Sequence, residues 1–230
     1  MTPTWAERRR FSILLGALAL LLTLYPLEEA SGRARVVFQV GFDMVLVAAV
    51  LTMRRAPRWF LAGLVLEGAA VTGYWSAVLL PGTWFGSRAA EVLVNLATGL
   101  GVLLVICFVL RDLFSCARVT GDRLCGALCV YMLLGLLWGF LDTAVELAAP
   151  GSFAIGDGLR GFSGNDESLL SRSGELFYYS FITLTTVGFG DVSPTGTEAQ
   201  MLTMWEALVG QAYLTIMVAR LVGLHVSSQR

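Results

Sequence analysis

Seven consecutive residues, Thr185-Thr186-Val187-Gly188-Phe189-Gly190-Asp191, set two alternating glycines behind a threonine pair. The chemistry such a string offers is that of its backbone. A dehydrated cation needs closely stacked rings of oxygen in place of its hydration water, and carbonyl groups can supply them. Successive carbonyls reach one axis when the chain alternates ordinary and left-handed conformations, which glycine at 188 and 190 adopts without a Cβ clash. Val187 and Phe189 are then expected to point away from that axis and pack. The hydroxyl of Thr186 offers oxygen lone pairs to the innermost ring, where a valine would offer none. Glycines also mark ordinary turns between helices. A turn, however, requires neither the threonine pair nor the aromatic helical flank Phe177-Tyr178-Tyr179-Ser180-Phe181-Ile182-Thr183-Leu184.

The string resembles the selectivity filter of potassium channels. Residues 177–184 are similar to a pore helix, above all that of the second pore loop in two-pore-domain channels. Asp191 is followed by Pro194 at the family's spacing, and Gly210, nineteen residues beyond Asp191, matches the hinge glycine of the inner helix. The resemblance implies potassium bound at Thr186, Val187, Gly188 and Phe189, completed by Gly190, with Thr185 and Asp191 as support. Two departures stand out. Phe189 replaces a common tyrosine, as in two-pore-domain relatives, so selectivity is expected to survive. Ile182 occupies the place of a pore-helix glutamate that pairs with the filter aspartate in one bacterial type. Asp191 is therefore expected to take a hydrogen bond from Tyr179.

The rest of the chain must hold that loop in a membrane. It is 56% hydrophobic and only 14% charged, unlike most soluble domains. A bilayer core of roughly 30 Å needs about 20 apolar residues per helix. Six stretches are candidates: Phe11 to Leu27, Val36 to Met53, Trp59 to Leu80, Ala89 to Leu110, Arg123 to Leu147, and Ala199 to His225. Leu176 to Leu184 is too short to span and reads as a re-entrant pore helix, tolerated only where protein covers it. The expected fold is all-α: six transmembrane helices plus the pore helix, in a voltage-gated-channel-like layout.

All sixteen basic residues are arginine. Arg8, Arg9 and Arg10 before the first stretch, and Arg54, Arg55 and Arg58 after the second, place both regions in the cytoplasm by the positive-inside rule. The filter loop then lies outside and both termini inside. Glu28-Glu29-Ala30 lacks a small-x-small cleavage pattern, so the first stretch reads as an uncleaved span. The arginine-only set points to a GC-rich prokaryotic genome, hence a multi-pass protein of a prokaryotic plasma membrane. The net charge of −1 gives no case for nucleic acid. No extracellular cysteine pair offers a disulfide. Cys125 and Cys129 share a helical face without histidine or carboxylate, as buried thiols packing like small hydrophobes do. No enzyme constellation and no cofactor site is evident, the scattered acids and single His225 forming none.

Three modules follow: a four-helix, voltage-sensor-like module at 1–110, an interfacial linker helix at 111–122, and a pore module at 123–230. Leu113, Phe114 and Ala117 share one face of the linker, as in a helix lying at the interface. Gly121 is placed to end it and Asp122 to cap the fifth span. The layout resembles six-segment voltage-gated channels, which carry arginines at every third position of the fourth segment. Here that segment holds none between Arg88 and Arg111. A charge crossing the field is worth about 2.3 kcal/mol per 100 mV, so little intrinsic voltage dependence is expected.

Ionisable residues inside spans are functional candidates by default. At 1.5 Å per residue, Asp43 lies roughly 10 Å from the outer edge of its span and Glu67 roughly 12 Å from the inner edge of its own. A shared, pH-sensing polar crevice is one reading, acids held neutral by burial the other. Asp142 and Glu146 are expected to face water at the pore mouth, and Arg220 to snorkel to the cytoplasm. Glu206, one turn before Gly210, is expected to brace the filter through a pore-helix hydroxyl.

One filter strand cannot enclose an ion, so four copies are expected to form a homotetramer. Below the filter Gln211, Leu214, Val218 and Val222 recur about once per turn and are expected to face a cavity, where apolar rings gate by dewetting or by bending at Gly210. Asp157, Asp166 and Glu167, in the stretch Pro150 to Ser173, would attract cations to the mouth. With few residues after the last stretch, gating is expected in the membrane, at the filter, or through an unidentified regulatory protein. The competing functions are a weakly selective cation pore and a non-conducting regulatory subunit.

Overall fold

The computed structural model describes residues 9–24, 32–79, 87–115, 121–155 and 169–228. Among them lie α1 (Arg10–Thr23), α2 (Gly32–Leu51), α3 (Pro57–Leu79), α4 (Arg88–Phe114), α5 (Gly121–Ala148), α6 (Leu169–Leu184) and α7 (Thr197–Ser228). A 3-10 turn covers Thr52–Arg55, and two short strands, β1 (Phe153–Ile155) and β2 (Val192–Pro194), pair antiparallel. A helix occupies each of the six apolar stretches. Three helices, α4, α5 and the Thr197–Arg220 part of α7, are long and apolar enough to cross a membrane, while α1 is apolar but shorter.

The linker departs from expectation. Arg111 to Phe114 form the last turn of α4 because Leu-Arg-Asp-Leu-Phe contains no helix breaker. No separate interfacial helix begins at Arg111. Ala117 and Arg118 lie outside the described residues, as do Asp157, Asp166 and Glu167. α6, where a re-entrant helix was expected, is also longer than its apolar run, starting at Leu169.

The chain packs into two compact units, Met1–Val65 with Val102–Leu134 and Ala212–Arg230, and Leu66–Gly101 with Gly135–Gln211. In the first, Phe11, Leu14, Leu18 and Leu21 form the buried face of α1 at helical spacing. Phe11 and Leu113 close over Gly126, where an added Cβ would lie 3.1 Å from the Phe11 ring. Arg10 pairs with Asp112 at 2.5 Å. Asp122 accepts hydrogen bonds from the backbone N–H and the hydroxyl of Ser12, both at 2.9 Å. It thus satisfies an orphan donor in the first turn of α1, a role that local sequence, pointing to a cap on α5, does not show.

In the second unit, Phe153, Leu176, Tyr179, Val192 and Ala199 form a buried cluster, with Val145 packed against it. The β1–β2 pair, running from Phe153 opposite Pro194 to Ile155 opposite Val192, ties the segment before α6 to the segment after the filter.

Candidate functional site

α6 is bolted to its neighbours by small residues and one hydroxyl. Gly135 and Gly139, one turn apart on α5, admit the rings of Phe181 and Phe177. A Cβ on Gly135 would come within 2.6 Å of Phe181, and one on Gly139 would collide with Phe177. Phe140 meets Phe177 edge-on, centroids 5.0 Å apart. The Ser180 hydroxyl lies 2.8 Å from the carbonyl of Gly135 and 2.5 Å from Oε1 of Glu206, its hydrogen-bond acceptors on α5 and α7. Glu206 is fully buried. Gly210 lets α7 approach the C-terminal end of α6, where an added Cβ would lie 2.7 Å from the Leu184 carbonyl oxygen.

The chain then leaves α6 as the alternation of hands requires. Thr186, Gly188 and Gly190 take φ of 59°, 51° and 79°. Glycine carries that conformation freely, whereas a residue with a Cβ pays about 1–2 kcal/mol. At Thr186 the end of α6 holds it. Thr186 N–H donates to Thr183 at 2.9 Å, Val187 and Gly188 N–H both donate to the Ile182 carbonyl at 2.9 and 3.2 Å, and the Thr185 hydroxyl donates to Phe181 at 2.7 Å. The N–H groups are thus turned inward. Among the described residues, no hydrogen-bond donor meets the carbonyls of Thr186, Val187, Gly188 or Phe189. Residues 185–190 are all exposed. Val187 and Phe189, expected to pack, remain 52% and 71% accessible among the described residues.

Asp191 finds a different partner from the one the sequence suggests. Tyr178, not Tyr179, donates to its Oδ2 at 2.8 Å, and Oδ1 accepts from Val192 N–H at 3.0 Å. Adjacent helical residues face directions about 100° apart. The Tyr179 ring turns to Phe153, centroids 5.3 Å apart, and its hydroxyl bonds Thr203 at 2.7 Å. Asp142 and Glu146 are buried rather than facing water. Glu146 accepts from the backbone N–H of Gly151 at 2.9 Å and of Phe153 at 3.1 Å, so it shapes the turn that leads into β1.

Below Gly210, Gln211, Leu214, Val218 and Val222 are exposed. Arg220 reaches the last turn of α4. It donates to the Leu113 carbonyl and lies 4.3 Å over the Phe114 ring, an attraction between a cation and both a helix C-terminus and a π face. Tyr213 donates to the Ala127 carbonyl at 2.6 Å. Asp43 accepts from Gln39 at 2.9 Å, whereas Glu67 is buried with Oε2 beside Gly101. They belong to different compact units. Cys129 is buried, its Sγ 3.4 Å from the Phe11 carbonyl, and among the described residues no cluster suits a metal ion. The side chain of His225 lies outside the described residues.

Ser180, Tyr178, Gly135 and Gly139 were not singled out by sequence. The signal for the glycines is a matched spacing, Gly-x-x-x-Gly on α5 against Phe-x-x-x-Phe on α6.

Residues 155–225, from the end of β1 through α6, the filter string and most of α7, match the model of the ion channel family. That segment includes a helix apolar and long enough to cross a membrane, and the described residues hold two more, α4 and α5. No curated protein matches the chain.

Proposed function

We propose that the chain forms a homotetrameric potassium channel of six spans per copy, conducting passively, with both termini cytoplasmic in a prokaryotic plasma membrane. The observation that carries the reading is the filter backbone. Three left-handed residues alternate at 186, 188 and 190, and four successive carbonyls meet no donor among the described residues. Carbonyls exposed in one chain but closed off from water in an assembled ring would be costly without partners, and a potassium ion stripped of water would supply what they lack. The ion-channel match over residues 155–225 supports the same reading.

The tetramer is supported by what one copy leaves open. Val187 and Phe189 are uncovered, and only 17% of the apolar part of α7 is buried. Three more copies around one axis would close the oxygen rings and cover both. α7 would then line the cavity with Gln211, Leu214, Val218 and Val222, gating at those apolar rings. α1–α4 would serve as scaffold or as sensor of something other than voltage, with Asp43 and Glu67 as candidate sensing groups. The weakly selective alternative would need the alternation broken, and the non-conducting alternative gives no reason for it.

Current through a planar bilayer, with potassium on one side and sodium on the other, tests the reading. A reversal potential near the potassium equilibrium value, abolished by Gly188→Asp, is expected. A reversal near zero would show a non-selective pore.

A further inference from the structure

The second compact unit holds a set of buried polar atoms that the filter reading does not use. Neither oxygen of Asp142 has a hydrogen-bond partner among the described residues, and the same is true of Oε2 of Glu206 and Nε1 of Trp138. Asp142 and Glu206 are fully buried. Asp142 lies within electrostatic reach of Glu206 and Tyr179. Trp138 and Asp142 are four residues apart on α5, neighbours along one helix face. Gly135, Gly139 and Asp142 recur at four and three residues, so Asp142 continues the stripe of α5 that receives the Phe177 and Phe181 rings.

The inventory of these atoms identifies what is missing. Among the described residues three carboxyl oxygens meet no donor and one indole N–H meets no acceptor, and a carboxyl that keeps its proton brings one donor of its own. A direct Trp138–Asp142 bond is not made. Burying such groups unpaired is costly. Water is the one small ligand that both donates twice and accepts, and buried water typically makes about three bonds to such groups. A metal cation would satisfy the oxygens but repel the N–H.

We propose that Trp138, Asp142 and Glu206 hold an enclosed water site behind α6, and that Asp142 is a positioning residue for the filter. One water donates to an oxygen of Asp142 and to Oε2 of Glu206 and accepts from Trp138, and the second oxygen of Asp142 keeps its own proton or takes a second water. The first water thereby fixes the Glu206 carboxylate, whose other oxygen takes the Ser180 hydroxyl one turn before Leu184. The consequence for the filter rests on the channel reading; the water site does not.

A cryo-EM map of the purified protein in nanodiscs, resolved well enough to show ordered water, tests the site directly. Density within hydrogen-bond distance of Asp142 and Glu206 is expected, and its absence would overturn the proposal. Asp142→Leu should empty the site and Asp142→Asn, still polar, should keep it. In bilayer recordings the Leu variant should lose selectivity or sustained current, and the Asn variant should retain both. A Leu variant indistinguishable from the parent would overturn the positioning role. Should Asp142→Leu fail to fold, Trp138→Phe removes one donor while keeping a ring; unchanged water density there would equally count against the site. Density without any selective current from the parent protein would sink the channel reading alone.

Discussion

At Gly210, one absent methyl group separates two accounts of the same residue. If bending were its only role, alanine would stabilise α7 by about 0.5–1 kcal/mol, the usual helix preference over glycine. The structure places a Cβ there 2.7 Å from the Leu184 carbonyl and 2.8 Å from its Cδ1, and overpacking of that kind costs about 1–3 kcal/mol. Gly210→Ala is therefore expected to lower the melting temperature and to disturb potassium selectivity, because Leu184 immediately precedes Thr185. A raised melting temperature would leave only the hinge. The two tyrosines divide in the same way. Tyr178→Phe removes the donor to Asp191 and should speed the decay of current at the filter. Tyr179→Phe removes the bond to Thr203 and should act on stability first. Equal decay rates in both variants would refute the assignment of Tyr178.

At the level of elements, α6 is held by surfaces rather than by its own propensity. Gly139→Ala pushes a Cβ into the Phe177 ring and should cost about 1–3 kcal/mol, measured as thermal stability of the purified protein. Gly16, in mid α1 with nothing within 4 Å of an added Cβ, is the control, where alanine should gain about 0.5–1 kcal/mol. This contrast also shows what the sequence made legible. The alternating backbone at 186–190, the helix before it and the bond from Glu206 to a hydroxyl of that helix were readable because their spacing is local or shared with a known family. The six helices were readable because apolar runs mark themselves. The β1–β2 pair joins residues some forty apart, and Phe153 to Ile155 looks like ordinary loop without Val192 to Pro194 beside it. Which of two adjacent tyrosines meets Asp191 depends on the rotation of α6, set by Gly135 and Gly139 across the helix interface. Asp142 read as mouth-facing because its neighbours in space come from α7, absent from any local window.

For the whole molecule, two properties follow from what a single copy contains and lacks. α4 has arginine only at Arg88 and at Arg111 in its last turn, so no column of charge crosses the field. With each crossing charge worth about 2.3 kcal/mol per 100 mV, conductance in symmetrical potassium should vary only shallowly with voltage, and a steep curve would refute the scaffold role given to α1–α4. The number of copies can be read from poisoned mixtures. Gly188→Asp puts a carboxylate side chain on a backbone that needs φ near 51°, and one defective strand should spoil every ring it joins. Co-expressed in equal amounts with the parent chain and mixing freely, it should leave about one part in sixteen of the selective current for a fourfold ring. About one part in four would instead indicate a pore built from two copies, and about one half would show that each chain conducts alone. With Val187, Phe189 and much of α7 exposed among the described residues, the smallest of these residues of current is the outcome that the proposed fourfold ring predicts.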